Sequence, residues 1–211
     1  MADNYLENKF EEFRSKPAAK KHSASLGTLL RQNRSYRGYD KTCVVSQAQL
    51  RRIAEVCTKV PSGRNQQVLR FKLLTRGVGS EKMQGLYKLG AALPELHLPF
   101  PGTEPEAFII ICSTVPESKF VDIDLGIAAQ SILLKATEMG LNGIMIGAFN
   151  KAKITEAFEL PYDPLLILAI GKGKETIKLQ PVDAGDKLAY YRDENGVQFV
   201  PKIKWEQLII E

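Results

Sequence analysis

Residues 122–139 constrain this chain more than any other stretch. Leu125, Ala128, Ala129, Ile132, Leu133 and Ala136 recur at helical spacing and define one apolar face. Ile127 and Leu134 lie off that stripe, so the helix is apolar nearly all round. Such a helix must be buried, either within its own chain or between subunits, because water would otherwise face hydrocarbon on every side. Gly140 follows the last apolar positions, where a residue that tolerates positive φ closes a helix. Asp122 and Asp124 read as opening carboxylates, favoured by the positive end of the helix dipole.

The other elements arrange themselves around that helix. Ala107 to Ser113 is apolar on both faces and predicts a central strand. From Val68 to Thr75 the pattern alternates, with Leu69, Phe71 and Leu73 one way and Arg70 and Lys72 the other, as in a half-buried strand. Further strands are expected at 143–146 and 165–170. Helices are expected over 4–15 (Leu6, Phe10, Phe13), from Ser25 (Leu26, Leu29, Leu30), and after Asn150 as far as Pro161. Ser46 with Gln49 forms a capping box ahead of Leu50, Ile53, Ala54 and Cys57, and Pro61-Ser62-Gly63 breaks that helix. Asn195-Gly196 signals a hairpin. Strands and helices mix without strict β-α-β alternation, which predicts an α/β (α+β) layered domain with a partly antiparallel sheet.

Bulk properties narrow the function classes. At 211 residues with 25 % charged side chains, one soluble domain can form its core without staples. The net charge of +5 is scattered, apart from Lys16, Lys20 and Lys21, which favours a small anionic ligand over nucleic acid. Cys43, Cys57 and Cys112 have no metal-ligand spacing, and two histidines (His22, His97) cannot complete a zinc site. No signal peptide or membrane span is read, so a cytoplasmic protein is expected.

Three segments could carry chemistry. In Arg34-Ser35-Tyr36-Arg37, two guanidiniums flank a hydroxyl, which suits a phosphate; the plain alternative is a solvated basic turn. Pro61-Ser62-Gly63-Arg64-Asn65-Gln66-Gln67 offers donors and acceptors to the polar edge of a flat heterocycle, or is simply a turn. Gly140 to Phe149 contains glycines that would let a ring approach the backbone, or only a helix stop. No activated nucleophile, acid–base pair or glycine-rich phosphate loop is found. An enzyme built this way would leave its chemistry to a cofactor.

In this order the segments resemble the nitroreductase family of FMN-dependent oxidoreductases, from the Ser25 helix to Lys174. The family pattern Arg-Arg-Ser-x-Arg, followed by an aromatic residue, is matched at Arg34, Ser35, Arg37 and Tyr39, with Asn33 in place of the first arginine. Pro61, Ser62, Asn65 and Gln67 match Pro-Ser-x-x-Asn-x-Gln, with Val68-Leu69 where Pro-Trp is usual. Gly140-Leu141 leading to Ile146-Gly147, then Leu168 to Gly171, completes the likeness.

The resemblance implies a three-layer sandwich in an intertwined homodimer, with residues 1–24 as an N-terminal helical arm and 25–211 as one FMN-binding domain. Arg34, Ser35 and Arg37 would hold the FMN phosphate and ribityl chain. Pro61, Ser62, Asn65 and Gln67 would meet the same flavin from the partner subunit. Ile146 and Gly147 would lie against the ring, and Lys172 or Lys174 would add positive charge at the phosphate. NAD(P)H would reduce the flavin, which would then reduce a small electron-poor acceptor such as a nitroaromatic or quinone. The proline-rich segment 94–106 would cover the flavin. Rival readings are a specialised flavin reductase or dehalogenase on the same scaffold, a flavin-binding protein without turnover, and a basic nucleic-acid-binding domain. No membrane role is expected.

Overall fold

The computed structural model describes residues 24–91 and 93–210; the helix expected over 4–15 and the rest of the arm to residue 23 lie outside them. Ala107–Ser113 forms strand β2, buried at every position. Its alternate residues divide between two cores. Phe108, Ile110 and Cys112 join one cluster, while Ala107, Ile109 and Ile111 join the other. That division explains a strand apolar on both faces: each pleat direction meets its own hydrophobic layer. β2 lies between β1 (Leu69–Leu74) and β4 (Asp163–Gly171), and β4 carries β3 (Asn142–Ile146) on its other side. Every neighbouring pair in this four-stranded sheet is antiparallel. In a second, three-stranded sheet β5 (Ile177–Val182) runs parallel to β7 (Gln198–Ile203) and β6 (Tyr191–Arg192) runs antiparallel to β7.

Helices cover both faces of the main sheet and make the expected three layers. On one face α1 (Leu26–Gln32), α2 (Gln47–Ala54) and α3 (Lys119–Glu138) accompany the cluster of Leu50, Ile53, Ala129, Ile132, Leu133 and Ala136. On the other, α4 (Lys151–Phe158) contributes Ile154 and Phe158 beside Tyr39 and Met83. The capping box forms as expected, Ser46 N–H donating to Gln49 Oε1 and Gln49 N–H to Ser46 Oγ. α2 then tightens into a 3-10 segment, Glu55–Lys59, which holds Cys57. Asp193 spreads the Asn195-Gly196 turn into a longer loop by accepting the N–H groups of Asn195 and Val197.

One boundary differs from expectation. α3 starts at Lys119, capped by Ser118, so Asp124 lies beyond the first turn and on the buried face. Among the described residues the opposite face is thinly covered, with Arg64 lying 5.5 Å from the centre of the Phe120 ring at its start. Phe120 and Ile123 are 51 % and 47 % exposed, and Ile127 and Leu134 continue the same apolar line half-buried. Beside it, α1 has no fully buried residue and exposes Leu26 and Leu30.

α3 and β3 meet at Gly143, where a β-carbon would stand 2.5 Å from Leu133 Cδ2 and 2.7 Å from the Ala169 carbonyl oxygen. The leucine can turn aside, but the carbonyl belongs to the sheet ladder and cannot. Gly143→Ala should therefore destabilise the fold by about 1–3 kcal/mol. Denaturant titration would show this as a lower midpoint at constant slope. An unchanged midpoint would contradict the packing described.

Candidate functional site

The loop 33–39, the turn 140–143 and residues 171–175 converge at one end of the main sheet. Ser35 bridges Gly143, Tyr39 bridges Gly173, and the Lys174 N–H donates to the Gly38 carbonyl at 3.0 Å. Gly173 has no β-carbon because the Tyr36 ring occupies its place, 2.2 Å from where one would be built. This packing brings the backbone that carries Arg34, Ser35, Lys172 and Lys174 to one end of the sheet. Arg34 is half-buried; its Nη2 donates to the Leu30 carbonyl, while its Nε is buried with no hydrogen-bond partner among the described residues. Burial lowers the pKa of this guanidinium from its usual value, the cost of holding a partly desolvated cation. Ser35, Lys172 and Lys174 are exposed at the same end, with Lys172 Nζ 3.2 Å from the Gly140 carbonyl. An anion with several oxygens fits this donor set.

Arg37 behaves differently. It is only 7 % exposed, its Nη1 donates to the Ser35 carbonyl at 2.9 Å, and its guanidinium lies 4.5 Å from the centre of the Tyr190 ring. The proline-rich connection comes to the same end. The Thr103 carbonyl accepts the Tyr39 N–H, and Phe100 lies beneath the Arg192 guanidinium.

The second polar segment is built against α3. Gly63 N–H donates to the Asp124 carboxylate at 2.7 Å, Ser62 Oγ accepts the Gln67 N–H, and Gln67 Nε2 donates to Asn65 Oδ1. Arg64, Asn65 and Gln67 all have φ near +50°. Three left-handed residues other than glycine in so short a span store strain, and that strain fans exposed polar side chains outward. Pro61 is exposed at the start of the segment, and a cavity of about 230 Å³ lies alongside, lined by Cys57, Ser62, Phe71 and Asp124. Burial pushes the Cys57 thiol up to about 11, so it is neutral at ordinary pH and no ready nucleophile. Cys112 is likewise held at about 11, mainly by burial.

The two polar segments do not meet within one chain. Gly63 is tied to Asp124, whereas Ser35 bridges Gly143, which packs against Leu133. Along α3, Leu133 lies roughly 14 Å from Asp124, and Gln130, which accepts from Asn33 Nδ2 at 3.5 Å, about 9 Å, at about 1.5 Å per residue. Among the described residues no hydrogen bond or ion pair joins 34–37 to 61–67. Ile146 ends β3 and Gly147 follows it. The Ile146 side chain is 2 % exposed in the core, so only its backbone can face a ligand, while open space surrounds the α-carbon of Gly147. No group of His, Cys, Asp and Glu among the described residues could hold a metal, and no described helix is long and apolar enough to cross a membrane.

A family model described as the nitroreductase family matches residues 30–172. The chain belongs to the nitroreductase family. The matched span contains all the site segments except Lys174 and stops short of the small sheet. A Methanocaldococcus jannaschii protein provisionally named a nitroreductase is 33 % identical over 54 residues, covering 26 % of this nitroreductase-family chain and 27 % of its own length. Among solved structures, a nitroreductase family protein from Clostridium difficile superposes with a TM-score of 0.57 at 24 % identity, over 72 % of this chain and 86 % of the other. A provisionally assigned nitroreductase from Exiguobacterium sibiricum, solved in complex with FMN, gives 0.59 at 22 % identity, over 72 % and 90 %. A variant of an FMN- and NADPH-dependent nitroreductase from a Sphingopyxis strain gives 0.59 at 19 %, over 72 % and 89 %. At these identities the solved structures speak for the fold.

Sequence reasoning missed Asp124, Glu175 and Tyr190. Asp124 had a signal: it is one helical turn before Ala128 on the buried stripe, where a carboxylate requires a partner. Glu175 and Tyr190 had none, because their partners lie far away in the chain.

Proposed function

We propose that this nitroreductase-family protein is an FMN-dependent oxidoreductase that draws electrons from NAD(P)H. It would work as a homodimer in which each flavin site uses both chains. The separation of two polar segments that the family pattern assigns to one flavin carries this reading. The thinly covered apolar line of α3 supports it, since a second copy would cover that face. The relatives described as an FMN complex and as FMN- and NADPH-dependent support the cofactor and the reductant.

In this reading Arg34 and Ser35, with Lys172 and Lys174, hold the phosphate, and Arg37 completes the loop that presents them. Gly147 and the backbone at Ile146 admit the flat ring, roughly 13 Å along β3 from Gly143 at about 3.3 Å per residue. Segment 61–67 of the second subunit, with Pro61, Ser62, Asn65 and Gln67, meets the ring's polar edge. Bound FMN supplies the chemistry, accepting a hydride from NAD(P)H and passing two electrons to a small electron-poor acceptor such as a nitroaromatic or quinone. The chain's part is to orient the flavin, exclude water and set positive charge near it. Residues 25–211 serve as one flavin-binding domain, and 1–24 as an arm.

Mixing the purified protein with FMN should give the visible bands of a bound flavin at about one per chain. Adding NADPH or NADH without oxygen should bleach them. A protein that ignores saturating FMN would overturn the proposal, and one that binds FMN but is not reduced would be a flavin carrier.

A further inference from the structure

The chain beyond the family match is fastened to the phosphate end of the site through buried polar contacts. Glu175 is the centre of this fastening. Its Oε2 accepts the backbone N–H of Arg37 and, at 3.0 Å, that of Gly38. Its Oε1 pairs with Arg192 on β6, and the two side chains are only 8 % and 12 % exposed. Tyr190, the residue before β6, covers the guanidinium of Arg37. Arg37 turns back to hold the Ser35 carbonyl. One loop is thus gripped at successive backbone positions by a carboxylate, and its arginine is sandwiched between its own backbone and an aromatic face.

We infer that Arg37 is a strut and not a phosphate ligand, and that Glu175, Tyr190 and Arg192 are positioning residues that hold Arg34 and Ser35 ready from the C-terminal sheet. This rests on the flavin reading for what the loop holds, but the fastening itself does not. Two physical points favour the strut. A guanidinium covered on one face and bonded to its own loop has little surface left for an anion. Glu175, if unpaired, would repel a phosphate nearby, and Arg192 neutralises it where water cannot. Arg37 Nε, like Arg34 Nε, is buried with no hydrogen-bond partner among the described residues, so it is the covered face and the bond to Ser35, not an orphan atom, that set the two arginines apart.

Double substitution separates strut from ligand. Arg37→Leu, Glu175→Ala and Tyr190→Leu should each weaken FMN roughly tenfold, as expected if about one more residue must be ordered on binding, and spare riboflavin, which lacks the phosphate that Arg34 and Ser35 hold. Added to a chain that already carries Arg34→Ala and Ser35→Ala, none of the three should weaken FMN further, because a strut acts only through those two residues. Amide hydrogen exchange on the flavin-free protein provides an independent reading, with Glu175→Ala accelerating exchange at Arg37 and Gly38. An Arg37→Leu change that still weakens FMN roughly tenfold in the Arg34→Ala, Ser35→Ala background would overturn the strut. So would unchanged exchange in Glu175→Ala, even if the wild type bound no flavin and the functional reading had failed on its own account.

Discussion

Ile127→Asp should turn the protein into a folded monomer and remove its flavin in the same step. Ile127 lies half-buried on the apolar line of α3 that runs from Phe120 and Ile123 to Leu134, outside both cores of the single chain. A carboxylate there can stay hydrated in the monomer, so the subunit should keep its fold. Between two copies it would be stripped of water among the apolar side chains of that line. Burying an unpaired charge costs several kcal/mol, and about 4 kcal/mol corresponds to roughly a thousandfold weaker association. If the second chain supplies segment 61–67, FMN affinity must fall with association. Light scattering, circular dichroism and flavin absorbance on one sample would test all parts together. A monomer with native helix content and bound FMN would show that the line serves another purpose.

The next largest effect is expected at Arg34. Removing its guanidinium should cost roughly 1.5–3 kcal/mol, the range for a charge-assisted hydrogen bond, and so weaken FMN binding ten- to a hundredfold. The cation is already half-desolvated, with no hydrogen bond at Nε among the described residues, so little of its binding energy would go to dehydration at the moment of capture. Turnover per bound flavin should change little in Arg34→Ala, because the phosphate is remote from the reacting ring. Asn65→Ala should do the reverse. Its side chain is held outward by a left-handed backbone and by Gln67, and contact with the ring's polar edge would tune the reduction potential. That variant should bind FMN nearly as well and reduce it more slowly at full occupancy. A uniform loss of affinity in both variants, with turnover per flavin unchanged, would contradict the division of labour.

Local signals in the sequence were read correctly where the deciding contacts are also local. The Ser46–Gln49 capping box and the alternation of β1 depend on neighbours within a few residues. Asp122 does lie in the first turn of α3, as an opening carboxylate should, but a helix begun at Asp122 starts three residues late. The cap is in fact Ser118, and Asp124 is turned inward to hold Gly63. The motif Arg34-Ser35-Tyr36-Arg37 was visible, but the opposite orientations of its two arginines were not. Arg37 points inward because of Tyr190 and Glu175, and no periodicity links residues so far apart. The antiparallel order of the main sheet was equally hidden, since pairing of β2 with β4 is fixed by tertiary packing.

The central claim is a flavin site completed by two chains, and mixed dimers test it most directly. One variant would carry Arg34→Ala with Ser35→Ala, the other Ser62→Ala with Asn65→Ala, each expected to lose FMN on its own. Unfolding and refolding them together should produce mixed dimers in which one site is doubly damaged and the other intact. Flavin absorbance should then return at about one FMN per mixed dimer. If the mixture stays as colourless as its parents while mixed dimers demonstrably form, each site lies within a single chain and the account is wrong.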